Sequence, residues 1–346
     1  MLCVSFSRKR RALSTAGIGG YGIMAVMQTD QWRGLGYAAV AVAFFSTSPV
    51  LTLWADPLSP FVKTGGRLAV AALALGAARA VSRRSAVVSR RSAGGGRPSV
   101  GGAPSVTTSL TTQNSALRIQ NSLRFAAYGL IAALHFLCYI ASLSYTSPAH
   151  SLTLVYTAPI WVAVAAALLL HEPIRRRAWG GIAVVLLGIA VLVNPLADNR
   201  AYPLWWLGDA LALGSALTFG LYSVAGRYER ARTSLFGYAT AVYGLAALWL
   251  LPSVWLNWPT AAGPPVPLSA WLAVLGLGVL PLALGHTLYN AALRRLHAAT
   301  ANLIAAQEVT GGVLLSWALL GLAPGPTALL GAAITLAGIV LVLRAA

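Results

Sequence analysis

The sequence predicts an all-α membrane protein with ten transmembrane helices, arranged as two inverted five-helix repeats. Three observations predict it. First, 58% of the 346 residues are hydrophobic and 9% are charged, with a mean hydropathy of +0.72; soluble domains carry about 25% charged residues. Second, the apolar residues gather into ten stretches, most of them near the ~20 residues a helix needs to cross hydrocarbon. Third, the basic residues fall in alternate connections between those stretches, the pattern by which Lys and Arg mark the cytoplasmic side.

Residues 1–33 begin with Arg8, Lys9, Arg10 and Arg11 and are then weakly apolar and glycine-rich. They lack the strong apolar core and small-residue cleavage site of a signal peptide, and read as a disordered, basic cytoplasmic tail. The first five spans are 34–53, 60–78, 125–144, 151–170 and 178–193. The connection 79–124 carries eight arginines and a Ser/Thr-rich stretch without apolar periodicity, so it is expected to be a disordered cytoplasmic loop. The second five spans are 204–225, 235–255, 269–293, 298–320 and 326–343. These lengths do not suit transmembrane strands, which need about 9–11 residues and alternate in polarity. Pro49, Pro159 and Pro281 fall inside spans one, four and eight. Each frees backbone carbonyls, which is tolerated at a cavity or a bend, so these are candidate gating points.

With the N-terminus inside and ten crossings, every Lys and Arg except Lys63, Arg67 and Arg200 falls on one side. That places both termini in the cytoplasm of a multi-pass plasma (inner) membrane protein. The net charge of +18 then reflects topology and attraction to the lipid bilayer; it calls for no nucleic-acid partner. Cys3 and Cys138 lie far apart, so neither a disulfide nor a metal site is expected. No cofactor, no metal and no enzyme chemistry are expected, because no hydrolase elbow, zinc-protease pair or phosphate loop is present.

The halves overlay with a shift of 150 residues. Tyr139 meets Tyr289, Ala149 meets Ala299, Gly181 meets Gly331 and Gly188 meets Gly338. Span two carries Pro60-Phe-Val-Lys-Thr-Gly-Gly-Arg67. Span four and its exit read Tyr156-Thr-Ala-Pro159 and Leu170-His-Glu172-Pro173, and Glu308-Val309 lies in span nine. Together these residues resemble the drug/metabolite transporter superfamily, in its EamA-like ten-helix branch. The resemblance covers 34–78 and 125–343 and implies one such repeat over 34–194 and a second over 204–344. Val309 and Leu322 depart from it, standing where a proline and a glutamate are common. It further implies a secondary transporter, with export of amino acids or drug-like compounds as the common task.

Glu308 is the sharpest site candidate. It lies near the middle of span nine, where a carboxylate is costly and normally faces a cavity or a partner. Substrate recognition and proton coupling are the functional readings; a glutamate that ties helices together is the structural one. Asn302, six residues from Glu308, and Gln307, adjacent to it, are expected to point to other faces. His135 and His286 occupy corresponding spans three and eight, one residue out of register. Each could meet an anionic group or simply hydrogen-bond a neighbouring helix, worth about 0.6 kcal/mol. Tyr139 follows His135 by four residues and Asn290 follows His286 by four, giving two polar stripes. Tyr156 and Trp161 are deep aromatics suited to packing or to an apolar substrate. Arg67 could hold a substrate carboxylate, but is expected rather to snorkel outward or pair with Asp56, and Glu172 to pair with Arg175 or Arg176.

Inverted repeats are a usual architecture of alternating-access transporters. The sequence therefore reads as a secondary transporter of small metabolites, with Glu308 as the candidate for proton coupling. The alternative is a non-transporting receptor or assembly protein on the same scaffold. A small-molecule substrate and the lipid bilayer are the expected partners.

Overall fold

A computed structural model describes residues 19–92, 108–146, 148–193, 202–260, 263, 265–321 and 323–345. All regular structure among them is helical. In chain order the helices are α1 (Gly19–Phe45), α2 (Ser48–Trp54), α3 (Pro60–Ser92), α4 (Thr108–Tyr145), α5 (Pro148–Val155), α6 (Ala158–Leu170) and α7 (Arg176–Val193). The second half holds α8 (Trp205–Glu229), α9 (Leu235–Leu256), α10 (Leu268–Leu277), a π-helical stretch at Gly278–His286, α11 (Thr287–Leu293), α12 (Ala298–Ala305), α13 (Glu308–Leu320) and α14 (Pro326–Ala345). Among the described residues, eight stretches are long and apolar enough to cross a membrane. Helix α7 and the pair α12–α13 occupy the positions of the fifth and ninth predicted spans. The chain is a multi-pass, all-helical membrane protein.

The tail and loop expected to be disordered are in part helical. Helix α1 begins at Gly19, α3 runs on to Ser92, and α4 begins at Thr108. Low hydropathy predicts exposure to water, but it does not oppose helix. Ala and Arg are strong helix formers, and extension from an existing span avoids the cost of nucleation. Residues 1–18 and 93–107 lie outside the described residues.

Three spans break at mid-length. Pro49 and Pro159 each stand at the second position of the half-helix that follows the break, where a missing N–H costs nothing. Thr47 Oγ1 donates to Phe44 O at 2.7 Å, and Thr157 Oγ1 donates to Leu154 O at 2.6 Å. These bonds satisfy carbonyls that the breaks release. The third break, at Ala306 and Gln307, has no proline. Here close packing replaces it: a Cβ on Gly311 would collide with Ser46, and one on Gly312 would sit 3.2 Å from Pro49 Cγ. The first and third breaks thus cross each other.

The repeated glycines bring α7 and α14 into backbone contact. A Cβ on Gly181 would stand 2.9 Å from Val342 N, and one on Gly188 would stand 2.9 Å from Gly331 O. In lipid, such close approach by small residues holds helices together, because burial from water is no longer the driving force. The core cluster spans both halves. Its largest fully buried side chains include Tyr222, Tyr238, Tyr243, Tyr289 and Phe136.

Candidate functional site: a central cavity and a charged basic end

The breaks in the first, fourth and ninth spans converge on one cavity of about 60 Å³. That is room for a few waters, since one water needs at least ~10–15 Å³ on this measure. Ser48, Ala158 and Glu308, the first residues of three half-helices, all line it. Of the candidate residues, His135, Tyr139, Tyr156, His286 and Glu308 are brought together on its wall. Glu308 opens α13, where the positive end of the helix dipole favours a carboxylate. The Tyr156 hydroxyl lies within hydrogen-bonding reach of it.

Trp161 and Asn290 lie apart from that wall. Trp161 turns its indole N–H back to Thr157 Oγ1 at 3.3 Å, and its backbone packs against Gly220 of α8. Asn290 is one turn beyond His286. Its amide donates to Tyr222 Oη at 2.7 Å and to His286 O at 2.9 Å, so it braces α11 against α8.

The two histidines differ. His135 Nδ1 lies 3.0 Å from both the carbonyl and the hydroxyl of Ser215, and its ring stacks on Phe219 at 4.6 Å. His286 Nδ1 is buried without a hydrogen-bond partner. Its ring is held instead between Phe45 at 4.5 Å and Phe136 at 5.0 Å. One histidine is a helix tie; the other offers a free ring nitrogen.

Arg67 overturns an expectation. It is 3% exposed, lines the cavity and lies over the Phe136 ring at 4.8 Å. Lys63, one turn nearer the helix start, takes Asp56 instead. Arg67 Nε and Nη1 are buried with no hydrogen-bond partner. A signal was present in the sequence: two basic residues at i and i+4 with one carboxylate nearby leave one cation over. Asn302 was also missed. Across an intact helix, six residues would turn it away from Glu308. The break at Ala306 and Gln307 returns both to the same cavity.

A second cluster closes the basic end. Arg227 holds Glu172 in a two-point grip at 3.0 and 3.1 Å, and Arg230 adds a third bond at 3.2 Å. Arg227 Nη1 also donates to Leu293 O at 2.8 Å, and His297 Nε2 donates to Glu172 O at 2.9 Å. Glu172 therefore joins the two halves rather than pairing with Arg175 or Arg176. Burial alone would raise the Glu172 carboxyl, but the bonds from Arg227 and Arg230 hold it below the ordinary carboxylate range. At the opposite end Asp209 accepts from Thr146 Oγ1 at 2.7 Å and lies 3.3 Å from His150 Nδ1.

The described helices are thus broken at mid-span around a buried cavity lined by aromatic, polar and charged side chains. The chain belongs to the EamA-like transporter family, whose model matches residues 32–194 and again 206–344. It is similar to the "Probable terminal-alkyne amino-acid exporter" of Streptantibioticus cattleyicolor, with 31% identity over 198 residues, 55% of this chain and 62% of that one. It is also similar to the Pseudopaline exporter CntI of Pseudomonas aeruginosa, at 28% identity over 44% of this chain and 51% of that one. The Aromatic amino acid exporter YddG of Ancylobacter novellus is 29% identical over 45% of this chain and 53% of its own. The chain thus spans between half and two thirds of these relatives' length. A solved crystal structure shares the fold, with a TM-score of 0.67 at 20% identity, over 90% of this chain and 97% of that one.

Proposed function

We propose that this chain is a secondary transporter that exports a small zwitterionic metabolite, an amino acid or a compound built on one. It would work by alternating access through the central cavity, with ten crossings and both termini in the cytoplasm. The observation that carries this reading is the pairing of charges. Arg67 brings buried, unpartnered N–H groups to the same aromatic-walled cavity as Glu308. A guanidinium suits a substrate carboxylate. A carboxylate with aromatic neighbours suits an ammonium group, and Phe45, Phe136 and Phe219 suit an apolar side chain. The names of the relatives support the same direction.

In this reading the Glu172–Arg227–Arg230 cluster is the cytoplasmic latch, and the broken spans bend when it opens. Glu308 is the proton-coupling group. The test is counterflow of labelled amino acids in proteoliposomes, with and without an imposed pH gradient. Glu308→Gln and Arg67→Gln should each abolish uptake of a substrate that the wild type carries. Undiminished uptake by both variants would refute the assignment. Wild-type uptake indifferent to the pH gradient would remove coupling and leave transport standing.

A further inference from the structure

A cavity larger than the central one lies at the basic end, between the middle of α1, the connection before α7, the start of α12 and the end of α14. It encloses about 620 Å³, within the range of a small-molecule site. Its chemistry is divided. Arg175 and Arg295 supply the charge, and Leu35, Ile174 and Leu343 supply aliphatic wall. Trp32 stands at the rim, 71% exposed, as aromatic residues do at the level of lipid headgroups.

We propose that this groove binds an anionic phospholipid, with its phosphate against Arg175 and Arg295 and one acyl chain along the aliphatic wall. The carboxylates nearby leave the charge unbalanced. Glu172 is already held by Arg227 and Arg230. Asp30 reaches Arg295 Nε at 3.4 Å but is 59% exposed, and Arg175 has no carboxylate within ion-pair distance among the described residues. The other contacts of the Arg295 guanidinium are neutral: Nη1 donates to Ala291 O at 3.3 Å, and the group lies over the Tyr37 ring at 5.1 Å. The N-terminal tail is a poor occupant, because Arg8, Lys9, Arg10 and Arg11 would be repelled. A soluble anion would use the arginines and leave the aliphatic wall unfilled. A basic pocket between helices on the cytoplasmic side is a recurring form of lipid headgroup site.

The test uses Trp32 as the reporter in the full-length purified protein. Fluorescence is compared with that of Trp32→Phe while brominated phosphatidylglycerol or brominated phosphatidylcholine is added. The Trp32 signal should be quenched several-fold more strongly by the anionic lipid, and that preference should vanish in R175Q/R295Q and persist in R175K/R295K. Equal quenching by the two lipids would overturn the site, as would an unchanged preference in the Gln variant. Relief of quenching by millimolar inorganic phosphate would also overturn the lipid assignment, showing a free-anion site. Should the Gln variant not fold, native mass spectrometry of the wild type decides: retention of phosphatidylglycerol over phosphatidylcholine supports the site, and no preference refutes it.

Discussion

The fourth and ninth spans break at the same register and carry opposite chemistry. In the fourth, Val155 ends one half-helix and Ala158 begins the next; in the ninth, 150 residues on, these places are taken by Ala305 and Glu308. Both breaks meet the same cavity. The first break is held by Pro159 and the Thr157 hydroxyl. The second is held by contact of Gly311 and Gly312 with Ser46 and Pro49. The backbone was kept by different means, while one copy became a carboxylate and the other an alanine. The two repeats thus place their breaks alike while only the second brings a carboxylate to the cavity.

The largest effect expected from breaking this comparison is on the charged pair. Loss of one charge-assisted hydrogen bond, about 1.5–3 kcal/mol, predicts roughly tenfold to hundredfold weaker substrate binding for Glu308→Gln or Arg67→Gln in calorimetry. Substitution at Ala158, the mate of Glu308, with Ser should change affinity much less.

Next comes the glycine pairing of α7 and α14. Gly188→Ala must push apart backbones already in contact, so a loss of about 1–3 kcal/mol is expected. A lowered thermal unfolding temperature would show it. Gly36, whose Cβ would meet nothing within 4 Å, should accept Ala with no such drop.

The histidines sharpen the comparison of spans three and eight. His135→Ala removes the Nδ1 bond to Ser215, whose hydroxyl keeps the carbonyl of residue 135 and whose own carbonyl keeps Thr218 Oγ1, each at 3.0 Å, so a loss of about 0.5–1.5 kcal/mol of stability is expected. His286→Phe keeps a ring between Phe45 and Phe136 and breaks no hydrogen bond of Nδ1, so its effect should fall mainly on ligand affinity. Equal stability losses would contradict this division.

The smallest effect expected is at the latch. Glu172→Gln should raise thiol labelling of a Ser48→Cys reporter from the basic side, in a Cys3→Ala/Cys138→Ala background that removes both native thiols. Because the Glu172 carboxyl titrates below its unfolded value, its stabilisation is complete above the ordinary carboxylate range and is lost as pH falls through the lower folded value. Labelling of the folded protein carrying Ser48→Cys, divided at each pH by that of the same protein denatured to remove the loss of thiolate on acidification, should therefore stay flat from about pH 8 to about pH 5 and rise only below about pH 4, the ordinary carboxylate range.

Much of this architecture was legible in the sequence, because bilayer thickness fixes span length and prolines mark breaks. The proline-free break was not, since it depends on α13 packing against residues more than two hundred positions away. The same break hid Asn302 as a neighbour of Glu308, because face arguments assume an unbroken helix. Arg67 was misjudged on cost: snorkelling is the cheap solution for one isolated cation, but Lys63 had already taken Asp56. Glu172 was paired with sequence neighbours because periodicity sees only contacts within a helix.

The central claim is that one substrate spans Arg67 and Glu308. The most direct measurement is binding of an amino acid, its methyl ester and its N-acetyl derivative to the purified wild type by calorimetry. The account predicts that only the free amino acid binds well, that the ester loses affinity through Arg67, and that the N-acetyl form loses it through Glu308. Equal affinity for all three would contradict it.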